Sequence, residues 1–284
     1  MQKQILLVVN SLRDPDYCQA KRAIAAMQQQ QIKIYAFCEL IDALPQYPIK
    51  NVDQICLEEL DAALILGGDG TLLSTVRRMN WAKLPLLAIN LGHLGYLTQG
   101  GPEILAEAVQ RLADGNYHHE DRIYLHGKVA RNGKDIFTFN GLNEVSLHRG
   151  DLDHMIHYTI SVNGHPIDDP VADGVIVSTP TGSTAYNLSA GGPILVPTAK
   201  SLIITAICAH SMSNRPIVTS PEDTIQLTIN SEQSPKLIVD SLDRFNLQQG
   251  DTVTVSAPGW HIKLIRWGED SFYQVLRNKL YERA

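Results

Sequence analysis

Over its first 115 residues the chain alternates short, wholly apolar runs with stretches that carry apolar residues at helical spacing. The apolar runs are Gln4–Asn10 (QILLVVN), Ile32–Phe37 (IKIYAF), Ala62–Leu66 (AALIL) and Leu86–Asn90. A run with no polar face suits a strand covered on both sides, the condition of a parallel sheet sheathed in helices. The helical segments between them are Asp16–Gln28, Val52–Leu60, Thr71–Met79 and Pro102–Ala113, with Thr71 as a cap and Asp114-Gly115 as a stop. Strict alternation of strand and helix builds parallel βαβ units, so residues 1–115 are expected to form an α/β domain.

Beyond residue 116 the pattern changes. Ile123–Ala130 and Asp135–Phe139 flank Asn132-Gly133, and His157–Val162 and His165–Ile167 flank Asn163-Gly164. An Asn-Gly pair between β-rich segments is a hairpin signal, because both central residues of the favoured turn need positive φ. Thr224–Ile229, Lys236–Val239 and Thr252–Ser256 are further β-rich pieces, and Phe272–Leu280 has helical periodicity. A mostly-β second domain over 116–262, closed by a terminal helix, is the expectation. Two domains suit a chain of 284 residues.

Composition narrows the function. Lysine and arginine total 24 against 30 acidic residues, a net charge of −6. Nucleic-acid binders carry a basic excess and peripheral anchors a polybasic cluster, so neither class fits. The longest clean apolar run, Leu202–Ala209, is far short of the roughly 20 residues that span a bilayer. Ile5–Val9 is also too short for the apolar core of a signal peptide. Cys18, Cys38, Cys56 and Cys208 form no CxxC pair, which suggests neither a zinc site nor a disulfide framework. A soluble, cytoplasmic protein is expected, with no nucleic-acid or membrane partner.

Three stretches carry chemistry. Gly67-Gly68-Asp69-Gly70 ends a buried strand directly before a helix, the edge at which open α/β sheets bind ligands. Glycines there admit a polyanion to the backbone, and the helix N-terminus offers free N–H groups. A carboxylate inside a phosphate cradle repels phosphate, so Asp69 makes better sense facing a hydroxyl or a metal beside it. That points to phosphoryl transfer onto an alcohol; taken alone the motif also suits a bare turn. The second stretch is Asp173–Pro193, rich in hydroxyls, in which Tyr186 can offer a ring to a base. The third is Asn143-Glu144, an amide beside a carboxylate, able to read an adenine edge and a ribose hydroxyl or to be an ordinary surface pair. GxxxxGK[ST], GxGxxG after a strand, GxSxG and HExxH are all absent, and the histidines suit scaffold better than zinc.

Taken together, LGGDGT (66–71), NLGHLGYLT (90–98), NEVSLHRG (143–150), DGVIVSTPTGSTAYNLSAGGPI (173–194) and HSMSNRPIV (210–218) stand in the order and spacing of the NAD kinases, which this chain resembles from about residue 60 to 220. The resemblance implies an α/β N-terminal domain and a β-sandwich-like C-terminal domain with the dinucleotide between them, and a segment at 263–284 returning to the first domain. It implies transfer of the γ-phosphoryl of ATP to the 2′-hydroxyl of the adenosine ribose of NAD, with Mg²⁺ or Mn²⁺, in a homo-oligomer. On the family's pattern Asp69 is the proton acceptor, and Gly67, Gly68, Gly70 and Thr71 cradle the ATP phosphates. NAD contacts fall on Asp69, Gly70, Asn143, Glu144, His154, Asp173, Thr184, Ala185, Tyr186, Asn187, Leu188 and Ser189. Two contact positions depart from the pattern: one that is often polar or basic is Val171, and one that is frequently Gln is Leu242. A lipid or diacylglycerol kinase, which resembles the family around GGDG, and a non-catalytic dinucleotide sensor are the alternatives.

Overall fold

The structure is a computed structural model that describes residues 2–150, 154–210, 215–259, 261–268 and 272–281. The chain divides into two units, Met1–Asp121 with Ile262–Ala284, and Arg122–His261.

In the first unit the order is β1 (Gln4–Val9), α1 (Cys18–Gln29), β2 (Lys33–Ala36), α2 (Cys38–Ala43), β3 (Ile49–Asn51), β4 (Ala62–Leu66), α3 (Asp69–Arg78), β5 (Leu86–Ile89), α4 (Leu105–Asp114) and β6 (His118–Arg122). The second unit holds β7 (Leu125–Arg131), β8 (Lys134–Gly141), β9 (Glu144–His148), β10 (Ile156–Val162), β11 (His165–Asp168), β12 (Val171–Ala172), β13 (Gly174–Ser178), the short α5 (Tyr186–Ser189), β14 (Leu202–Ile207) and β15 (Ile217–Thr219). It continues with β16 (Ile225–Ile229), β17 (Lys236–Val239), β18 (Asp243–Asn246) and β19 (Thr252–Ser256). The chain then re-enters the first unit as β20 (Ile262–Arg266) and α6 (Phe272–Tyr281).

The first unit is built on one sheet of order β3-β2-β1-β4-β5-β20-β6. The pairs β1–β2, β1–β4, β2–β3, β4–β5 and β5–β20 are all parallel. Every residue of β4 is buried, which is why its sequence, AALIL, has no polar position. Ile5, Leu7, Leu64, Leu66 and Leu87 pack with Ala20, Ile24 and Met27 of α1 and Leu105, Val109 and Leu112 of α4. Burial of each such side chain contributes about 2 kcal/mol.

Several sequence expectations need correction here. Val52–Leu60 is not a helix but two 3₁₀ turns, Val52–Gln54 and Leu57–Glu59, with only Val52 and Leu60 of the segment buried. Two buried residues eight apart give a helix no face to dock. The helix of that region is the six-residue α2, followed by the edge strand β3, whose central Lys50 is exposed. α3 starts two residues earlier than expected, at Asp69, after an extended Gly68, so Thr71 lies inside the helix and does not cap it. The terminal helix closes the first unit, not the second. β6 joins the first sheet, which carries that unit to Asp121.

The second unit contains two antiparallel sheets, β11-β10-β16-β19-β7-β8 with β12 beside β10, and β15-β14-β13-β9-β17-β18. Asn132-Gly133 and Asn163-Gly164 take φ of 51° and 76°, and 52° and 79°, as their hairpins require. Val129, Leu227 and Val253 of one sheet share a core with Leu147, Val175 and Leu237 of the other. Two antiparallel sheets around one core make the sandwich-like arrangement expected for the C-terminal domain. Among the described residues no helix is long and apolar enough to cross a membrane.

Candidate active site

In the first sheet β2 and β3 extend to one side of β1, and β4 and β5 to the other. The loops leaving β1 and β4 therefore part, and the crevice between them is where such sheets bind ligands. Asn10 ties the two loops together: its Nδ2 donates to Thr71 Oγ1 at 2.9 Å, and its backbone N–H donates to the Leu66 carbonyl at 2.9 Å. A cavity of about 390 Å³ opens there, with Asn10, Phe37, Gly70, Thr71, Ser74 and Arg78 in its wall. That is within the size range of small-molecule sites. The N–H groups of Asp69 and Gly70 have no partner among the described residues. The positive end of α3 is thus open to an anion. At the far end of α3 the Arg78 guanidinium lies 3.6 Å from the Phe37 ring centroid and pairs with Glu39 at 2.9 Å.

Asp69 turns toward NLGHLGYLT. Its Oδ2 accepts the Tyr96 N–H at 2.9 Å and its Oδ1 the Leu97 N–H at 3.0 Å. A Cβ at Gly95 would overlap the carboxylate, so glycine there lets Asp69 reach the loop. Each carboxylate oxygen can accept a second bond, which leaves Asp69 able to receive a ligand hydroxyl. Asn90 orders the same loop: its Oδ1 accepts the Gly92 N–H at 2.8 Å and its Nδ2 donates to the His93 carbonyl.

The returning C-terminal segment braces this loop. Arg266 donates to the Tyr96 carbonyl at 3.4 Å and pairs with Glu120 at 3.3 Å. The Phe272 ring lies 6.0 Å from that of Tyr96, with Lys279 Nζ 4.5 Å from the Tyr96 centroid. Gln99 donates to the Trp267 carbonyl at 2.9 Å.

In the second unit Asn143-Glu144 is held from both sides. Asp240 accepts the N–H groups of Leu142, Asn143 and Glu144 at 2.7, 2.8 and 3.0 Å. On the other side Thr179 donates its hydroxyl to the Leu142 carbonyl at 2.6 Å and its N–H to that of Asn143 at 2.9 Å. A Cβ at Gly182 would overlap the Asn143 carbonyl, so the glycine of STPTGSTAY admits the strand. With its backbone fixed, Asn143 presents an amide that has no partner among the described residues. Glu144 is only 5% exposed, and its Oε2 is buried without a hydrogen-bond partner. Burial, then the Asp240 charge, push its carboxyl up to about 8, against the N–H of Tyr186, which favours the ionised form. An orphaned buried oxygen of this kind is expected where a ligand completes the bond.

Tyr186 stacks on His148, with centroids 5.5 Å apart and planes at 14°. Burial holds the His148 imidazole below its ordinary range. Burial also raises the Tyr186 hydroxyl, aided by Cys208, Glu144 and Asp173, so these groups converge on it. Asp173 pairs with Arg149 at 3.0 Å. Asn187 is wholly buried and spends its amide internally, donating to the Ser183 and Pro193 carbonyls at 3.3 and 3.1 Å and accepting from Thr205 at 2.7 Å. Thr184 sends its hydroxyl back to the Thr181 carbonyl at 3.4 Å. Ala185, Leu188 and Ser189 continue the same loop into α5, and His154 is an exposed residue before β10. Val171 and Leu242 expose apolar side chains, 42% and 43% accessible. Of HSMSNRPIV, residues 211–214 lie outside the described residues.

Sequence reasoning missed Asp240, the His148–Tyr186 stack, the Arg149–Asp173 pair and Asn10. Only Asp240 left a clear signal: an Asp-Ser pair at a tight turn where Asn-Gly is the easy choice. For a metal, no group of three or more His, Cys, Asp or Glu residues that could hold one occurs among the described residues. A magnesium ion arriving on a triphosphate needs less, one or two carboxylates with phosphate oxygens and water. Thr71 and Ser74 line the cavity, and Asp69, at the start of the same helix, is the carboxylate on that element nearest to them in sequence.

Residues 7–117 match a family model of the ATP-NAD kinase N-terminal domain, and residues 142–267 match that of the C-terminal domain. An NAD kinase of Carboxydothermus hydrogenoformans is 39% identical over 226 residues, 79% of this chain and 81% of that one. One from Thiobacillus denitrificans is 37% identical over 238 residues, 84% of this chain and 82% of that one. The solved yeast NADH kinase complexed with NADH superposes with a TM-score of 0.88 at 24% identity, covering 99% of this chain and 88% of its own. An Archaeoglobus fulgidus NAD kinase in complex with ATP gives 0.73 at 22%, covering both chains in full. At those identities the two structures establish a shared fold. With both domains matched in order and relatives near 39% identical over four-fifths of its length, the chain belongs to the NAD kinase family.

Proposed function

We propose that this protein transfers the γ-phosphoryl group of ATP to the 2′-hydroxyl of the adenosine ribose of NAD, giving NADP, ADP and a proton. The observation that carries this reading is Asp69: a half-buried carboxylate at the switch-point crevice, fixed by two backbone N–H groups and still able to accept a bond, beside an open helix N-terminus. Phosphoryl transfer has a loose transition state, so aim matters more than nucleophile strength. Asp69 accepts a hydrogen bond from the 2′-hydroxyl and directs its oxygen at the γ-phosphorus. As the new P–O bond forms, the bond to the β–γ bridging oxygen breaks and its electrons leave with ADP; the proton passes late to Asp69.

The free N–H groups of Asp69 and Gly70 and the dipole of α3 receive the phosphates, with Gly67, Gly68 and Thr71 shaping the cradle. The Phe37 ring under Arg78 is the aromatic wall of the donor cavity. A divalent ion, Mg²⁺ or Mn²⁺, held by Asp69, Thr71 and Ser74, would neutralise part of the triphosphate charge. In the second unit, the free Asn143 amide reads the adenine edge and the orphaned Glu144 oxygen meets a ribose hydroxyl. Asp173, His154 and the Thr184–Ser189 stretch complete the NAD contacts. Asn187 contributes by holding that stretch in shape, since its own amide is already committed. Val171 and Leu242 offer packing where polar contacts are usual in the family.

Incubation with NAD, ATP and Mg²⁺ tests the reading. NADP and ADP should form one for one, and a chelator should abolish turnover until Mg²⁺ or Mn²⁺ is restored. Binding of NAD with no consumption of ATP would overturn it in favour of a dinucleotide sensor.

A further inference from the structure

Asp240 belongs to no motif of the family pattern described above, yet it makes four hydrogen bonds to the Leu142–Glu144 backbone. It sits with Ser241 at the centre of the β-turn in the three-residue connection between β17 and β18, closed by the Leu242 N–H to the Val239 carbonyl at 2.9 Å. Both turn residues take positive φ, 47° and 60°. Aspartate, with its short polar side chain, tolerates that region better than most residues, and here its carboxylate is turned back onto the neighbouring strand. There it accepts three consecutive N–H groups, those of Leu142, Asn143 and Glu144. Its own N–H donates to the Glu144 carbonyl at 3.0 Å. The turn and the first residue of β9 are therefore locked to each other in both directions.

The clamp joins Asp240 to the backbone of Glu144, and both carboxyl groups are largely removed from water, with the Asp240 charge acting on Glu144. Burial, opposed by those three N–H groups and reinforced by Asp243 of β18, raises Asp240 to about 6. Glu144, which has no such set of donors and an orphaned oxygen, is raised further. Two buried carboxyls that feel each other's charge do not both ionise readily, so the ionised form is favoured on the partner with three N–H donors, Asp240, over Glu144 with one. The titratable groups that face Glu144 are Asp240 and Tyr186; Asp173 and Cys208 in turn face Tyr186.

We propose that Asp240 is a positioning residue for the dinucleotide site: its carboxylate clamps the Leu142–Glu144 backbone so that Asn143 and Glu144 face the ligand. Burial and the Asp240 charge favour the protonated form of Glu144. Glu144 then meets the ribose as a hydrogen-bond donor as well as an acceptor. The assignment of a ligand to Glu144 rests on the proposed function; the clamp and the effect of the Asp240 charge do not.

The test compares wild type with Asp240→Asn by carbon-13 NMR titration of labelled glutamate, and by the KM for NAD between about pH 6 and pH 9. Glu144→Gln identifies the Glu144 resonance by removing it. Glu144 should titrate at about 8 in the wild type. Loss of the neighbouring charge should move that midpoint down by about one pH unit. An asparagine amide turned toward the Leu142 N–H cannot accept it, so the KM for NAD should rise about tenfold with a smaller change in kcat. Coincident midpoints and KM values in the two proteins would overturn the proposal. If Asp240→Asn does not fold, the wild type decides: a Glu144 midpoint near the ordinary value of about 4.3 overturns it as well. A wild type that makes no NADP overturns the proposed function, whereas the NMR midpoints, read without NAD, decide the role of Asp240.

Discussion

Asp69 serves two purposes, and substitution separates them. Its two oxygens hold the Tyr96–Leu97 backbone, and in the proposed reaction one of them also receives the 2′-hydroxyl. An asparagine in its place retains one acceptor and turns an amide toward the other N–H, so the loop loses a bond as well as the reaction its proton acceptor. Asp69→Asn should therefore lower turnover about 10²–10⁴-fold while leaving NAD affinity nearly unchanged, measured by steady-state kinetics alongside calorimetry. Retained turnover would contradict the assignment of Asp69 as proton acceptor. At this scale sequence is a partial guide. Asp69, Asn143 and Glu144 stand in short motifs whose chemistry can be argued from residue type. Asp240 lies almost a hundred residues beyond Asn143 and Glu144, and only the pairing of β9 with β17 brings it to those two.

At the scale of elements, the crevice is a consequence of strand order. The apolar runs of β1, β4 and β5 are legible in the sequence because strands buried on both faces carry no polar positions. The order in which they pair is not, since nothing local says that β4 lies beside β1 and β2 on its other side. The short α2 and β3 leave no such trace, being too brief to show a period. The C-terminal return is the element whose role is least visible in sequence. β20 and α6 deliver Arg266 and Phe272 to Tyr96, the residue whose N–H holds Asp69. Arg266 and Glu120 are both largely buried, 13% and 16% exposed. Removing one partner of such a pair costs about 3 kcal/mol. Arg266→Ala should lose about that much stability in urea titration. It should also lower kcat about tenfold with the KM for NAD little changed, because the loop that aims Asp69 has lost its brace. Equal kcat values at a temperature where both proteins are folded would contradict this.

In the proposed reaction the two units, each taken by itself, supply different groups. A parallel sheet with a switch point supplies a phosphate-accepting helix end, and a β-sandwich supplies rigid strands on which an amide, a carboxyl and an aromatic ring are fixed. The change from βαβ alternation to Asn-Gly hairpins near residue 116 makes both classes of architecture legible in the sequence itself. The gathering of four motifs into two sites is legible only through family resemblance, because spacing along a chain does not give distance in space. The net charge of −6 adds that no global field draws in the triphosphate, which leaves its charge to local groups. The account as a whole turns on where the acceptor alcohol sits, and a crystal structure of the complex with NAD measures that directly. The 2′-oxygen of the adenosine ribose should lie about 2.6–3.2 Å from an Asp69 carboxylate oxygen, with the bonds to Tyr96 and Leu97 intact. A ribose bound elsewhere, with Asp69 bonded to those two N–H groups alone, would contradict the account.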